Sequence, residues 1–364
     1  MSILSLALLM AANTVPLPAP ATASPGQQLA RWTPGPVRCG DTVVDPGHLS
    51  AVPPVLRWGS VEPKTMTLIF RIDASGRPLS IRTESPSYVP ISDDIAPALA
   101  ASTFTPGMAR AECRVDYQLQ SATLAQADPV DLIEYSLSLT SGALPSEGWE
   151  RIRPADTDCL RQPRPAALLR AYPDFQKIAG TPGERQWSMT SYDTDAKGRP
   201  INVRTIAGTG NAPLDAAARK AMSASRFTEG KRQGCLYPYW RAASRIMAPP
   251  APDMAQFGTT PHCPAAAWAQ QPRLTYPPAW NRRRIEGWAV VQFDVAPWGE
   301  VGNSRVLASE PAAAFGQQAM QVVRSARRAP SPTGASGCIE RVRFNIRPDN
   351  QMGTDDAGDG PVAQ

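Results

Sequence analysis

The residues able to do chemistry in this chain are few, and their spacing points to cross-links, not catalysis. Six cysteines stand at Cys39, Cys113, Cys159, Cys235, Cys263 and Cys338. In chain order they form three pairs 74, 76 and 75 residues apart. Such equal intervals predict one disulfide inside each of three repeated segments. No Cys-x-x-Cys is present, which removes the usual redox and zinc motifs. The histidines are His48 and His262, too few for a three-histidine metal site, and both read as surface or capping residues. Asp193-x-Asp195-x-Lys197-Gly198 opens like a calcium loop, but Arg204 occupies the position where a bidentate glutamate is required, so a turn is the better reading. Gly208-Thr209-Gly210 lacks the third glycine of a dinucleotide loop, and no Gly-x-Ser-x-Gly elbow exists. The sequence therefore predicts a non-enzymatic protein with no catalytic residues, no cofactor and no metal.

Composition sets the frame for those cross-links. At 364 residues the chain has room for two or three domains, and 42% hydrophobic against 19% charged residues excludes wholesale disorder. Its 39 prolines favour strands, turns and stiff connectors over long helices. A net charge of +5 permits anionic partners without requiring any, and no nucleic-acid partner is expected. Residues 1–23 read as a secretory signal, with an apolar run from Ile3 to Ala12 and a small-x-small site at Ala21-Thr22-Ala23. Cleavage after Ala23 would place the protein in the periplasm, an oxidising compartment that keeps disulfides. Prolines interrupt the run too early for a stable membrane anchor. The tail, residues 349–364, has four aspartates and no aromatic and reads as disordered.

Between each pair of cysteines lies one glycine turn, at Gly76, Gly198 and Gly299. Before it the chain alternates: Met66, Leu68, Phe70 and Ile72 in the first segment, Val291, Phe293 and Val295 in the third. A period of two is a half-buried strand, and the residues after the glycine form the return strand of a hairpin. Alanine-rich helical stretches follow at 92–104, 213–227 and 315–327, the second capped by Asn211. A last strand then begins at each second cysteine. The reading is an α+β chain of three tandem ββαβ units at 37–123, 155–247 and 259–348, each with a small antiparallel sheet, one helix and one internal disulfide. Residues 121–158 exceed a linker's needs; Ile133, Tyr135, Leu137 and Leu139 alternate as a strand would, an addition to the first sheet. Pro249, Pro250 and Pro252 mark a semi-rigid connector.

That order resembles the C-terminal domain of TonB. The third unit is the most similar, with Tyr276-Pro277, Ala279, Gly287, the strand 290–295, Gly299 with Val301, and a final strand to Ile346. The second has Tyr172-Pro173, Gly198 and Leu214-Asp215 before its helix; the first lacks Tyr-Pro but keeps Phe104-Thr105-Pro106-Gly107. The third departs with Arg328-Ala329-Pro330, which puts the packing under its helix end in question. The resemblance implies recognition of a short extended segment of an outer-membrane receptor. An unpaired sheet edge does this physically by accepting the segment as an added strand. The expected contact strand is the last one of the third unit, with Ile339, Arg341, Arg343 and Asn345 presented to the peptide. Eleven arginines against five acidic residues over 258–348, among them Arg282-Arg283-Arg284 and Arg327-Arg328, would make that unit a basic face for anionic envelope material or an acidic peptide. The partner is then a receptor peptide or another envelope protein; the alternative is an envelope structural protein that packs or contacts the cell wall. Complete transducers of the family carry an N-terminal membrane helix with a functional histidine and a long proline-rich spacer, and neither is legible here.

Overall fold

The computed structural model describes residues 26–84, 89–138, 142–258, 263 and 268–346. Residues 1–23, expected to be a signal, together with His262 and the acidic tail, lie outside the described residues. Chain order begins with β1 (Gln27–Pro34), β2 (Val37–Cys39), β3 (Thr42–Val44), β4 (Pro46–His48), β5 (Val55–Trp58), β6 (Thr65–Ile72), β7 (Pro78–Thr83), α1 (Ile95–Ala101), β8 (Thr103–Phe104) and β9 (Arg110–Thr123). Two short helices follow, α2 (Pro129–Ser136) and α3 (Ser146–Ile152). Next come β10 (Ala167–Leu169), β11 (Gln186–Thr194), β12 (Pro200–Gly208), α4 (Ala212–Ala224), β13 (Arg226–Phe227) and β14 (Arg232–Arg241). The chain continues with β15 (Trp268–Gln270), α5 (Pro278–Arg282), β16 (Gly287–Val295), β17 (Val301–Glu310), α6 (Ala313–Arg324), β18 (Arg327–Arg328) and β19 (Ala335–Phe344).

The architecture is mixed α+β, built from small antiparallel sheets, with disulfides Cys39–Cys113, Cys159–Cys235 and Cys263–Cys338 each inside one of the three segments, the pairing that the equal intervals predict. Each hairpin closes the same way. The Gly76, Gly198 and Gly299 carbonyls accept the N–H of Phe104, Phe227 and Arg328, each just past the end of a helix. A Cβ at any of these glycines would lie 2.0–2.1 Å from that residue's own carbonyl oxygen, and φ is positive at all three. Only glycine permits this approach. Four residues on, Ser80, Asn202 and Asn303 also have positive φ, next to a register shift in the hairpin.

At that bulge the first hairpin differs from the others. In the second, Asn202 donates to Asp193 at 2.8 Å; in the third, Asn303 donates to Asp294 at 2.9 Å. The first has Arg71 in place of the aspartate and Ser80 in place of the asparagine. Arg71 and Ser80 face outward to Glu310, at the end of β17. The Glu310 carboxylate accepts from the Ser80 N–H at 2.6 Å, the Ser80 hydroxyl at 2.7 Å and Arg71 at 2.8 Å. Beside it the Ile81 N–H donates to the Pro311 carbonyl at 2.9 Å, and Ile81 is buried. The first and third sheets thus share one continuous apolar core, from Leu68, Phe70 and Leu99 to Phe293, Phe315 and Phe344.

Two sequence expectations are corrected here. The first sheet is seven-stranded, because β1, ahead of residue 37, pairs with β9 from Gln28–Thr123 to Pro34–Tyr117, and β2, β3 and β5 extend it further. Residues 133–137 are not a strand: they lie in and just after helix α2, whose N-terminus Asp128 caps by accepting the Val130 N–H at 2.8 Å, with Pro129 in the first turn. Ile133 and Leu137 fit a helical repeat as well as an alternating one, and the Asp-Pro start decides between them. Leu139 lies outside the described residues. With α3, this helix sets Leu132, Ile133, Leu144, Trp149 and Ile152 against Trp187 and Met189 of β11, so the segment covers the second sheet's far face.

Glu310→Ala removes a buried acceptor from two hydrogen bonds and an ion pair between the first and third sheets. The expected loss is about 2–3 kcal/mol of unfolding free energy, measured by urea denaturation followed by tryptophan fluorescence.

Candidate functional site

The strand that bears the expected site residues, β19, lies at the edge of the sheet β17-β16-β19. Its register runs antiparallel to β16, from Cys338 opposite Phe293 to Phe344 opposite Gly287. Cys338 and Phe344 are buried on the face toward α6, where Phe344 meets Phe315 edge-on at 5.1 Å. Ile339, Arg341 and Arg343 point to the opposite face, as the alternation predicts, and Asn345 follows just beyond the strand. Arg343 and Asn345 are exposed; Ile339 and Arg341 are half-buried. The structure brings these four residues together along one strand.

Arg341 is engaged in a way the sequence did not indicate. It donates to the Pro252 carbonyl, and Trp288, on the same sheet face, donates to the Pro249 carbonyl at 2.9 Å. The proline-rich connector therefore crosses the far face of the third sheet. Proline supplies a carbonyl and no N–H, so a chain of prolines laid on this face offers acceptors to Trp288 and Arg341 without orphaned donors of its own.

The start of β19 is fixed by Asp294, which accepts from the Gly337 N–H at 2.8 Å and from Asn303 at 2.9 Å. These two bonds, the Gly337 N–H first, hold the Asp294 carboxyl below the usual carboxylate range. In the second sheet Asp193 occupies the matching position and accepts the Gly234 N–H at 2.8 Å at the start of β14. Sequence reasoning missed both anchors, although a signal was present. In each of these segments an aspartate is followed nine residues later by an asparagine, and a glycine, Gly234 or Gly337, directly precedes the second cysteine.

The outer edges of the equivalent strands differ. In the first sheet that edge of β9 is filled by β1 and β2. In the second, the start of β14 is clipped by 157–158: the Asp158 N–H and the Thr157 hydroxyl donate to the Gln233 carbonyl at 3.2 and 3.1 Å, and the Gln233 N–H returns to the Asp158 carboxylate at 2.6 Å. In the third, β16 is the one strand paired with β19 among the described residues.

The basic runs are not the open face that counting suggested. Arg283 and Arg284 are 8% and 9% exposed. Arg283 donates to the Ser50 hydroxyl at 2.8 Å and to the carbonyls of Gly183 and Ala51 at 3.0 and 2.5 Å, tying the three parts of the chain together, and its burial pushes the guanidinium below its ordinary value. Arg282 pairs with Asp94 at 2.9 Å. Arg328 stands where Phe104 and Phe227 stand in the other parts; it lies 4.0 Å over the Trp268 ring and pairs with Glu340 at 2.8 Å, which resolves how the third helix end packs without a phenylalanine. Arg327 pairs with Glu300 at the surface. His48 contacts Glu184 at 2.7 Å, a surface pairing between the first and second parts.

With this geometry in place, sequence comparison gives a class for the third part. Residues 272–347, from just before α5 to just past β19, match the sequence profile described as Gram-negative bacterial TonB protein C-terminal. Among curated proteins, Protein TonB of Escherichia coli (strain K12) is 36% identical over 83 residues, which is 23% of this chain and 34% of that protein. The chain thus spans about a third of the length of the curated relative it matches.

Asp294→Asn tests the anchor of β19. A carboxyl held low in the folded state adds stability above its unfolded value of about 3.9 and loses it as the pH falls through the lower folded value. Wild type should exceed the variant by about 1 kcal/mol at pH 6, and the gap should close below about pH 4, read from urea titrations across pH.

Proposed function

We propose that this chain is a non-enzymatic periplasmic protein in which the outer edge of β19 binds an extended segment of an outer-membrane transport receptor, with coupling to transport as its wider role. The observation that carries the reading is the edge itself. β9 is flanked on both sides by the chain's own strands; β14 and β19 each have one strand partner among the described residues, but backbone hydrogen bonds from 157–158 clip the start of β14, whereas β19 is tied at Cys338 through its disulfide to Cys263. Unpaired backbone donors and acceptors bind an extended peptide by strand addition, and the side chains along the edge select it. The pairing of β1 with β9 illustrates the geometry within this molecule. The match over 272–347 supports the same strand, since it covers β19 entirely.

The three ββαβ segments at 37–123, 155–247 and 259–348 are proposed to be copies of one TonB C-terminal-like unit. The support is the recurrent glycine turn, positive-φ bulge, helix and disulfide. In this reading the third copy offers its last strand to the peptide, and the other two serve as a platform that holds it. No helix among the described residues is long and apolar enough to cross a membrane.

The test is titration calorimetry of the purified chain with a synthetic receptor segment of the kind TonB-like domains recognise. Binding is expected, and Arg343→Glu, a surface change on the proposed contact strand, should weaken it at least about fivefold, or roughly 1 kcal/mol, with Tm unchanged. Absence of binding by the wild-type chain would favour the envelope structural role.

A further inference from the structure

The second part of the chain carries a surface that the β19 reading leaves unused. A groove of about 260 Å³ lies beside β14 and wraps its edge, lined by Tyr192 and Phe227 on one side of the sheet, Leu236 on the other, and by Arg153, Arg164 and Arg170. No aspartate or glutamate is among the described residues that line it. The floor is rigid: Tyr192 and Phe227 are each 5% exposed and stack at 5.2 Å. Two of the cations rest on aromatic faces, Arg170 at 4.1 Å over Tyr237 and Arg153 at 5.2 Å over Trp149. A guanidinium stacked by its face still meets a carboxylate along its edge.

The charges are also crowded. Burial first, and the Arg164 charge second, push the Arg153 guanidinium below its ordinary value, against a smaller opposing pull from the Glu150 carboxylate. Like charges brought together at a partly dry surface repel, and an anion between them relieves the repulsion. Exposed apolar side chains flank Arg170 in sequence: Leu168, Leu169 and Tyr172 are 70%, 56% and 48% exposed. Exposed large apolar side chains grouped beside cations mark an interaction surface better than either feature alone.

We propose that this groove docks a short acidic peptide segment of a partner protein, its carboxylates on Arg153, Arg164 and Arg170 and an apolar side chain on the Tyr192–Phe227 floor. The charge complementarity selects an anionic partner, and the apolar floor with Leu168 and Leu169 selects one bearing hydrophobic side chains, which a nucleic-acid backbone lacks. The proposal does not rest on the β19 reading, since the groove and the third sheet's edge are built from different residues.

The probe is an acetylated eight-residue peptide alternating glutamate with leucine, compared by titration calorimetry with the same peptide carrying glutamine for glutamate. The acidic peptide is expected to bind the full chain at least about tenfold more tightly than the neutral one, and added salt should narrow that gap. Arg164→Gln, an exposed site, should weaken the acidic peptide severalfold; Arg164→Gln with Arg170→Gln should abolish its advantage, both with Tm unchanged. Arg343→Glu should leave this binding as it is, which separates the groove from β19. Equal affinity for the two peptides, or wild-type affinity in the double variant, would overturn the proposal. So would binding seen only after deletion of residues 349–364, which would assign the groove to the chain's own aspartate-bearing tail.

Discussion

A small sheet has two faces, and one helix covers one of them. This constraint shapes the rest of the molecule. In each of the three hairpin sheets a single helix, α1, α4 or α6, buries one side, so the fate of the other side has to be settled elsewhere in the chain. The first sheet leaves part of it polar, with Thr67 donating to Asp116 at 2.6 Å on the exposed surface, and packs the rest, Leu29, Leu56 and Ala122, against the α2–α3 cluster. The second covers it with α2 and α3, which place Trp149 and Ile152 against Trp187 and Met189. The third meets the proline-rich connector through Trp288 and Arg341. Segments that look like linkers by composition are therefore part of the packing.

The same logic explains why the three parts form one body. Units of this size bury modest apolar area and gain from cross-links or from fusion with a neighbour. Here both occur: each part has its disulfide, and the first and third share a core through Ile81, Ala312 and the Glu310 contact. The replacement of the bulge aspartate by Arg71 in the first hairpin is central to this. Asp193 and Asp294 turn inward to satisfy their own strands, whereas Arg71 turns outward to another sheet. A local polar anchor in two hairpins has become a docking contact in the remaining one.

Edge strands are a liability that folded chains manage by pairing, clipping or covering. β9 and β14 are managed; β19 presents the side chains that the sequence singled out. The placement of Ile339, Arg341 and Arg343 on one face of β19 was legible beforehand by simple alternation. What escaped was the role of their surroundings. Arg341 is held by a proline carbonyl 89 residues away in sequence, and no local pattern announces such a contact.

By itself the sequence determined the hairpins, the turn glycines, the disulfide pairing and the positions of the main helices. Each depends on neighbours a few residues apart, or on intervals that repeat along the chain. Tertiary structure decided the rest. Arg282-Arg283-Arg284 counts as a surface charge run in sequence, yet Arg283 is buried because oxygens from Ser50, Ala51 and Gly183 converge on it. Ile133 to Leu137 satisfies two periodicities, and the helical one won where an aspartate cap and a proline start coincided with an uncovered sheet face. That β19 has one strand partner among the described residues while β9 has strands on both sides could be seen only in the fold, because whether a strand is an edge depends on which distant segments reach it.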